Sequence, residues 1–472
     1  MTNKYKILVD GKLVDGPSSI DVINPASGKV FATCARADEQ LLNQAVSAAK
    51  RAFSSWSTLK QEERKIYLNK LADALQARQQ ELTELLTREQ GKPLSQAGYE
   101  VAGSIAILRF YASFDLPLHI RKEAEDGRIL EQRIPLGVVA AITPWNFPLA
   151  LLFIKIGPAL SAGNTMVAKP APTTPLTTAL LGEIAANILP PGVLNVIVDA
   201  NDLGSLLTSH PDVAKVAFTG STATGKRVME SAAATVKRLT LELGGNDAAI
   251  ILDDADVKEV APKVFNAAML NAGQVCLAAK RIYAPRSLHD ALCSELAKLA
   301  NEAVVGDGFN PDTQIGPLQN RQQFEKVLAL IEDARSHGTV IAGGAALPRD
   351  GFFIQPTVVR DLHDDVRLVR EEQFGPVIPI LSYETEDEVV RRVNDSEYGL
   401  GCTIWTSNAE RGARLALRVE SGTVWVNKHF DIPLDVPYGG AKESGIGLES
   451  GIEGIEAFTQ VKIINIANKI AS

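Results

Sequence analysis

From Gly137 onward, short uninterrupted apolar runs alternate with longer stretches of helical period. Val138-Val139-Ala140-Ala141-Ile142 is the first such run. Runs that are apolar throughout, rather than at every second residue, belong to strands covered on both faces. The pattern predicts strands over 138–142, 165–168, 193–198, 214–218 and 238–241. Helices to about residue 162, over 173–188 and over 222–234, with a shorter one before 214, separate them. A second series starts at Ala248-Ala249-Ile250-Ile251-Leu252 and continues with a helix over 257–271, a strand over 281–284 and a helix over 288–303. Residues 304–315, with Gly306, Gly308 and Pro311, read as a loop. Strands alternating with helices form parallel, doubly wound sheets, so the fold class is α/β with two such units.

The first 120 residues read as mainly helical. Asp38 can cap a helix with Leu42, Val46, Ala49, Phe53 and Trp56 on one face. A second helix is expected over 61–90, with Leu68, Leu71, Leu75, Leu82, Leu85 and Leu86 inward, and Gly91 and Pro93 stop it. Two segments fit neither series. Residues 121–135 are charged, with Asp126-Gly127 as a hairpin signal, and 460–466 form a lone β-rich run. Such orphan strands are expected to pair with each other or with another subunit.

A chain of 472 residues exceeds the roughly 250–300 at which one core stops growing, so at least two domains are expected. A formal charge of -8 argues against a nucleic-acid surface. Cys34, Cys276, Cys293 and Cys402 contain no C-x-x-C pair, and the six histidines are dispersed. Neither a disulfide scaffold nor a metal site is therefore expected. The N-terminus has no secretory apolar core. The longest apolar run, near 147–154, stops at Lys155, well short of the ~18 residues of a membrane span. These readings imply a reduced, cytoplasmic protein that binds no membrane.

Four short segments carry candidate chemistry. Gly220-Ser221-Thr222-Ala223-Thr224-Gly225-Lys226 lies between a strand and a helix, where backbone amides suit a pyrophosphate. Arg227 stands where a Walker A sequence needs Ser or Thr, which argues against a P-loop nucleotide triphosphatase. A plain strand-to-helix turn is the alternative. Cys276 follows a Gly-Gln turn, whereas Cys293 and Cys402 lie in apolar elements and read as core. Glu242 ends a strand beside two glycines, and Asn146 offers an amide that suits an oxyanion. A thiol, a carboxylate and a nucleotide loop together suggest covalent oxidation of an aldehyde.

The whole set resembles the aldehyde dehydrogenase superfamily. The resemblance rests on Pro144-Trp145-Asn146-Phe147-Pro148, Gly157-Pro158-Ala159-Leu160, Lys169-Pro170, Phe218-Thr219-Gly220-Ser221 and Leu241-Glu242-Leu243-Gly244-Gly245. It continues with Gly273-Gln274-Val275-Cys276, Glu371-Glu372-Gln373-Phe374-Gly375-Pro376, Val426-Asn427 and Tyr438-Gly439-Gly440. It implies an aldehyde dehydrogenase-like fold: two doubly wound parallel-sheet domains plus a small β oligomerisation element. The nicotinamide-cofactor domain would be 1–120 and 139–243, the catalytic domain 244–458, and the oligomerisation element 121–138 and 459–472. A homodimer or homotetramer follows. The resemblance makes Cys276 the nucleophile, Asn146 an oxyanion donor and Glu242 the base that hydrolyses a thioester. Lys155 and Glu449 match proton-relay positions. Ile142, Trp145, Lys169, Pro172, Gly220, Ser221, Gly225, Leu243, Gly244, Glu372 and Phe374 match cofactor-binding positions. Lys169 serves the adenosine ribose and Glu372 the nicotinamide ribose.

By the same resemblance, Phe147, Leu151, Ile154, Val275, Leu277, Phe430, Ile432 and Tyr438 line a largely apolar substrate pocket. The loop before Pro437 offers only Lys428 as a cation, offset by Asp431 and Asp435. A neutral aliphatic or aromatic aldehyde is therefore expected, with a semialdehyde as the rival. Many relatives that prefer NAD carry Glu where Pro172 stands, so NAD with tolerance of NADP is expected. A non-enzymatic structural protein on this fold is disfavoured by intact Cys276, Glu242 and Asn146.

Overall fold

The computed structural model describes residues 3–468. The apolar runs become β1 (Val138–Ile142), β2 (Thr165–Lys169), β3 (Leu194–Val196), β4 (Val213–Thr219) and β5 (Arg238–Glu242). Between them lie α1 (Ala150–Ala162), α2 (Leu176–Ala186), α3 (Gly204–Ser209) and α4 (Thr222–Ala232). Every residue of β1 and β2 is buried, which is why no alternation is seen in their sequence. The five strands pair in parallel in the order β5-β4-β1-β2-β3. The chain runs outward from β1 through β2 to β3, then crosses back to β4 on the other side of β1. The carboxyl ends of β1 and β4 thus flank a topological switch point, where ligands bind in sheets of this kind.

The second sheet contains β6 (Asp247–Ile251), β7 (Ala279–Pro285), β8 (Thr357–Arg360), β9 (Val377–Tyr383), β10 (Gly401–Trp405) and β11 (Thr423–Val426). Their order is β8-β9-β7-β6-β10-β11, all parallel. Helices α5 (Val257–Met269) and α6 (Arg286–Glu302) connect the early strands. Each sheet has its own buried core, one built mainly from residues between Ile7 and Leu243, the other from residues between Ala248 and Val419.

The N-terminal region departs from the helical expectation. Residues before Asp38 form the strands Asn3–Tyr5, Ile7–Val9, Lys12–Val14, Ser18–Asn24 and Lys29–Arg36. Asp10 and Gly11, at φ 51° and 74°, make the tight turn that pairs Ile7–Val9 with Lys12–Val14. The first three strands, of three residues each, are too short for periodicity to register, and Ser18–Asn24 and Lys29–Arg36 are largely exposed or half-buried, so neither shows an unbroken apolar run. The expected helix over 61–90 is two, Gln61–Ala77 and Gln79–Gln90, parted where Arg78 leaves helical geometry. One leucine stripe serves both, since Leu68, Leu71, Leu75, Leu82, Leu85 and Leu86 are all buried.

The two orphan segments pair with each other. His119–Ala124, Gly127–Pro135 and Thr459–Ala467 form a three-stranded antiparallel sheet, with Thr459 opposite Pro135. The hairpin loop is Glu125-Asp126, one residue earlier than the sequence signal, because Gly127 is already paired with Ala124. Residues 469–472 of the expected oligomerisation element lie outside the described residues.

Candidate active site

After α5 the backbone turns sharply. Asn271, Ala272 and Gly273 all take positive φ, at 51°, 55° and 71°. A Cβ on Gly273 would come within 2.2 Å of the Gly375 carbonyl oxygen, so only glycine fits there. This turn presents Cys276, which is half-buried, whereas Cys34, Cys293 and Cys402 are buried. Side-chain amides brace it: Gln274 Nε2 donates to Asn271 O at 2.8 Å, and Asn146 Nδ2 donates to Gln274 O at 3.0 Å. Asn146 and the thiol loop are therefore one hydrogen-bonded unit. Burial pushes the Cys276 thiol up, and the negative charges of Glu372, Asp247 and Glu242 add to it.

Glu242 is the last residue of β5 and pairs with Gly445. Both its carboxylate oxygens are buried with no hydrogen-bond partner. Burial raises its pKa well above the usual carboxylate range, Glu449 raises it further, and Lys155 opposes them. Lys155 Nζ sits between Glu449 Oε1 at 2.6 Å and Thr219 Oγ1 at 2.7 Å. The fold thus gathers Asn146 from the turn between β1 and α1, Lys155 from α1, Glu242 from β5, Cys276 from the turn after α5 and Glu449 from the C-terminal region.

Around the thiol, Val275, Leu277, Ala278, Leu400 and Trp425 form a small apolar cluster, with Phe147, Phe430, Ile432 and Tyr438 packed on it. Six of the eight expected pocket residues are therefore together. Ile154 packs instead on the first core, and Leu151 belongs to neither group. Leu400, just before β10, and Trp425, on β11, are brought in by the sheet from distant parts of the chain, which no local pattern reveals. Lys92 and Glu100 escaped the sequence reading too. This fully buried ion pair, 2.5 Å apart, holds the Asn146 carbonyl through Lys92 Nζ at 2.8 Å.

A cavity of about 840 Å³ opens at the carboxyl ends of β1, β2 and β4. Ile142, Trp145, Lys169, Pro172, Gly220 and Ser221 line it. The Thr143 and Thr173 hydroxyls on its wall are buried and have no partner, as expected of a site built to receive polar groups. The remaining cofactor candidates adjoin it through their packing. A Cβ on Gly225 would meet Leu243 at 2.5 Å, and one on Gly244 would meet Glu372 at 2.8 Å. Gly245 N donates to Glu372 Oε1 at 3.0 Å, and Trp145 stacks edge-on with Phe374 at 5.2 Å between ring centroids. A surface hollow of about 880 Å³ beside Asp10, Lys12 and Arg51 shares no residue with this cleft. Among the described residues, no three His, Cys, Asp or Glu side chains gather as a metal site.

Residues 13–464 match the sequence profile of the Aldehyde dehydrogenase family. The chain belongs to that family. It is 40% identical over 473 residues to the mitochondrial aldehyde dehydrogenase of Leishmania tarentolae, covering 98% of this chain and 95% of that protein. It is 39% identical over 465 residues to the mitochondrial succinate-semialdehyde dehydrogenase of Arabidopsis thaliana, covering 97% and 88%. The NAD+ complex of aldehyde dehydrogenase from Bacillus cereus has the same fold, with a TM-score of 0.97 at 36% identity, covering 99% and 97%. As a member of the aldehyde dehydrogenase family, the protein is an oxidoreductase acting on aldehydes. No helix among the described residues is long and apolar enough to cross a membrane.

Proposed function

We propose that the protein oxidises a neutral aldehyde to its carboxylic acid with NAD, Cys276 acting as nucleophile and Glu242 as general base. One observation carries this reading: a half-buried thiol and a buried, unpartnered carboxylate converge beside a dinucleotide-sized cleft at the sheet's switch point. The Cys276 sulfur bonds to the carbonyl carbon while its proton passes to Glu242. The resulting oxyanion accepts from Asn146 Nδ2 and the Cys276 backbone amide. Asn146 Nδ2 carries two hydrogens, so it keeps its bond to Gln274 O with one and donates the other to the oxyanion. A bound nicotinamide would supply the acceptor for the hydride that leaves the thiohemiacetal carbon as the oxyanion re-forms a carbonyl, giving the thioester. Once the thiol proton has passed on from Glu242, the free carboxylate removes a proton from water, the water oxygen bonds to the thioester carbon, and the C–S bond breaks with Cys276 leaving as the thiolate, which is then reprotonated. Lys155, Glu449 and Thr219 carry the proton away from Glu242.

Gly220 and Ser221, at the amino end of α4, serve the pyrophosphate. Lys169 serves the adenosine ribose and Glu372 the nicotinamide ribose. Pro172 neither repels a 2′-phosphate nor accepts a 2′-hydroxyl. NADP is therefore tolerated, within a factor of about 5–30 of NAD. Residues 1–120 and 139–243 form the cofactor domain, 244–458 the catalytic domain, and 121–138 with 459–472 the oligomerisation element. Exposed Ile120, Val461 and Ile463 on the three-stranded sheet support a homodimer or homotetramer. Four free cysteines suit the cytoplasm.

The substrate reading rests on the apolar cluster around Cys276 and on Lys428, which is ion-paired to Asp431 and so not free to clamp a carboxylate. The Arabidopsis relative supports the rival, a semialdehyde. A panel of aldehydes, followed by reduced-cofactor absorbance, decides between them. Neutral aliphatic or aromatic aldehydes should exceed succinate semialdehyde in kcat/KM. A preference on the order of tenfold for the semialdehyde overturns the substrate assignment.

A further inference from the structure

The cleft wall presents Lys169, Arg227 and Arg321 and no carboxylate. Immediately behind it lies one. Asp199, on the loop between β3 and α3, is fully buried, and its Oδ1 sits 2.6 Å from Lys169 Nζ. Its second oxygen accepts from Leu203 N at 2.9 Å, so the loop entering α3 holds the carboxylate in place. In dinucleotide sheets, a carboxylate at a strand end receives the ribose 2′-hydroxyl, and a nearby cation receives a 2′-phosphate. Here both kinds of group stand at the ends of neighbouring strands, but they are joined to each other.

We propose that Asp199 sets the choice between NAD and NADP by acting through Lys169. It keeps the ammonium as half of a neutral pair, so Lys169 gives hydrogen bonds to ribose hydroxyls without net charge for a 2′-phosphate. A phosphate approaching Lys169 also meets the Asp199 carboxylate behind it, in a site too buried for water to screen the repulsion. Arg227 and Arg321 are both exposed to solvent and draw a phosphate only weakly. Asp199 is thus a positioning residue that supplies the discrimination Pro172 lacks. The proposal rests on the reading that the cleft holds the dinucleotide.

Isothermal titration of the purified protein with NAD and with NADP tests it without any turnover. Asp199→Asn keeps an acceptor for Leu203 N and removes only the charge. It should tighten NADP by about tenfold while NAD does not tighten, moving the preference toward NADP. If both affinities change in step, or neither changes, the proposal fails. A second variant covers the case in which Asp199→Asn does not fold. Lys169→Met with Asp199→Leu replaces one neutral pair by another and should weaken NAD and NADP by similar factors, within about threefold. A tenfold greater loss for NADP would show that the Lys169 charge is already available, and would overturn the proposal. Wild-type protein that binds neither nucleotide overturns the cofactor reading as well. Wild-type protein that binds NAD, with its preference unmoved in Asp199→Asn, overturns the role of Asp199 alone.

Discussion

Lys155 Nζ lies 2.6 Å from Glu449 Oε1, with the lysine side chain wholly out of solvent and the glutamate 4% exposed. The two act on Glu242 in opposite senses, Glu449 raising its pKa and Lys155 lowering it. Replacing Glu449 by Gln removes the raising charge and leaves Lys155 unneutralised. The Glu242 carboxyl should then lose its proton at lower pH, and the acid limb of the pH–kcat profile should move to lower pH. Loss of the relay should also lower the plateau. A measured limb that moves to higher pH, or stays in place, contradicts the coupling.

Cys276 and Glu242 should fail at different steps. Only Cys276 can form the thiohemiacetal, so Cys276→Ala should abolish both the first turnover and the steady state. Glu242→Gln should cost deacylation about the 10²–10⁴-fold typical of a general base, leaving a burst of reduced cofactor and a trapped acyl-enzyme. The Cys276 thiol is pushed up by burial, so that burst should be slow at neutral pH and quicken as pH rises. Stopped-flow absorbance with mass spectrometry of the quenched protein reads both quantities. Aldehyde oxidation by Cys276→Ala, or wild-type turnover by Glu242→Gln, would refute the mechanism.

The same carboxyl makes a prediction about stability. Glu242 has a folded-state pKa raised well above 4.5, so the folded protein holds this proton more tightly than the unfolded chain does. Its contribution is therefore most favourable below pH 4.5 and declines as pH rises from there through the raised value. Glu242→Gln carries no charge and escapes that decline. Its Tm advantage over wild type should be small at pH 5 and larger at pH 8. An advantage that shrinks with pH would mean that Glu242 is not held protonated by burial.

The parallel strands were legible because burial on both faces leaves unbroken apolar runs such as 138–142. Helix starts were less so. A helix expected from 173 begins at Leu176, where Glu89 accepts from the Leu176 and Thr177 amides at 2.7 and 3.0 Å from a remote part of the chain. Cys276, Glu242 and Asn146 were legible because each stands in a short motif. Lys92 was not. Read along the chain, it is a polar residue between Gly91 and Pro93 in a helix stop. Only the packing of the helix Leu94–Ala112 reveals that its partner is Glu100. Asp199 was hidden in the same way, since its partner Lys169 lies on the neighbouring strand.

The Lys92–Glu100 pair yields the last prediction. Lys92 Nζ reaches Glu100 Oε2 at 2.5 Å and Asn146 O at 2.8 Å, and lies 3.8 Å from the centre of the Phe147 ring. Glu100 Oε1 accepts from Leu149 N at 3.0 Å and Ala150 N at 3.2 Å. The pair therefore anchors the turn that carries Asn146 at one end and opens α1 at the other. Lys92→Met leaves a buried carboxylate unpaired, which costs about 3–5 kcal/mol. Lys92→Met with Glu100→Gln removes both charges and keeps an acceptor for the two amides, so it should cost clearly less. In both variants Asn146 loses one of the two donors to its carbonyl, Asn271 Nδ2 at 3.0 Å being the other. A displacement of about 1 Å in the oxyanion donor can cost up to ~10²-fold, so the burst rate should fall even where stability is recovered. Denaturant unfolding and single-turnover rates on the same preparations separate the two effects. Should the single variant prove as stable as the double, Glu100 is not held as a buried charge. Should the burst rate of the double variant match wild type, the pair does not position Asn146.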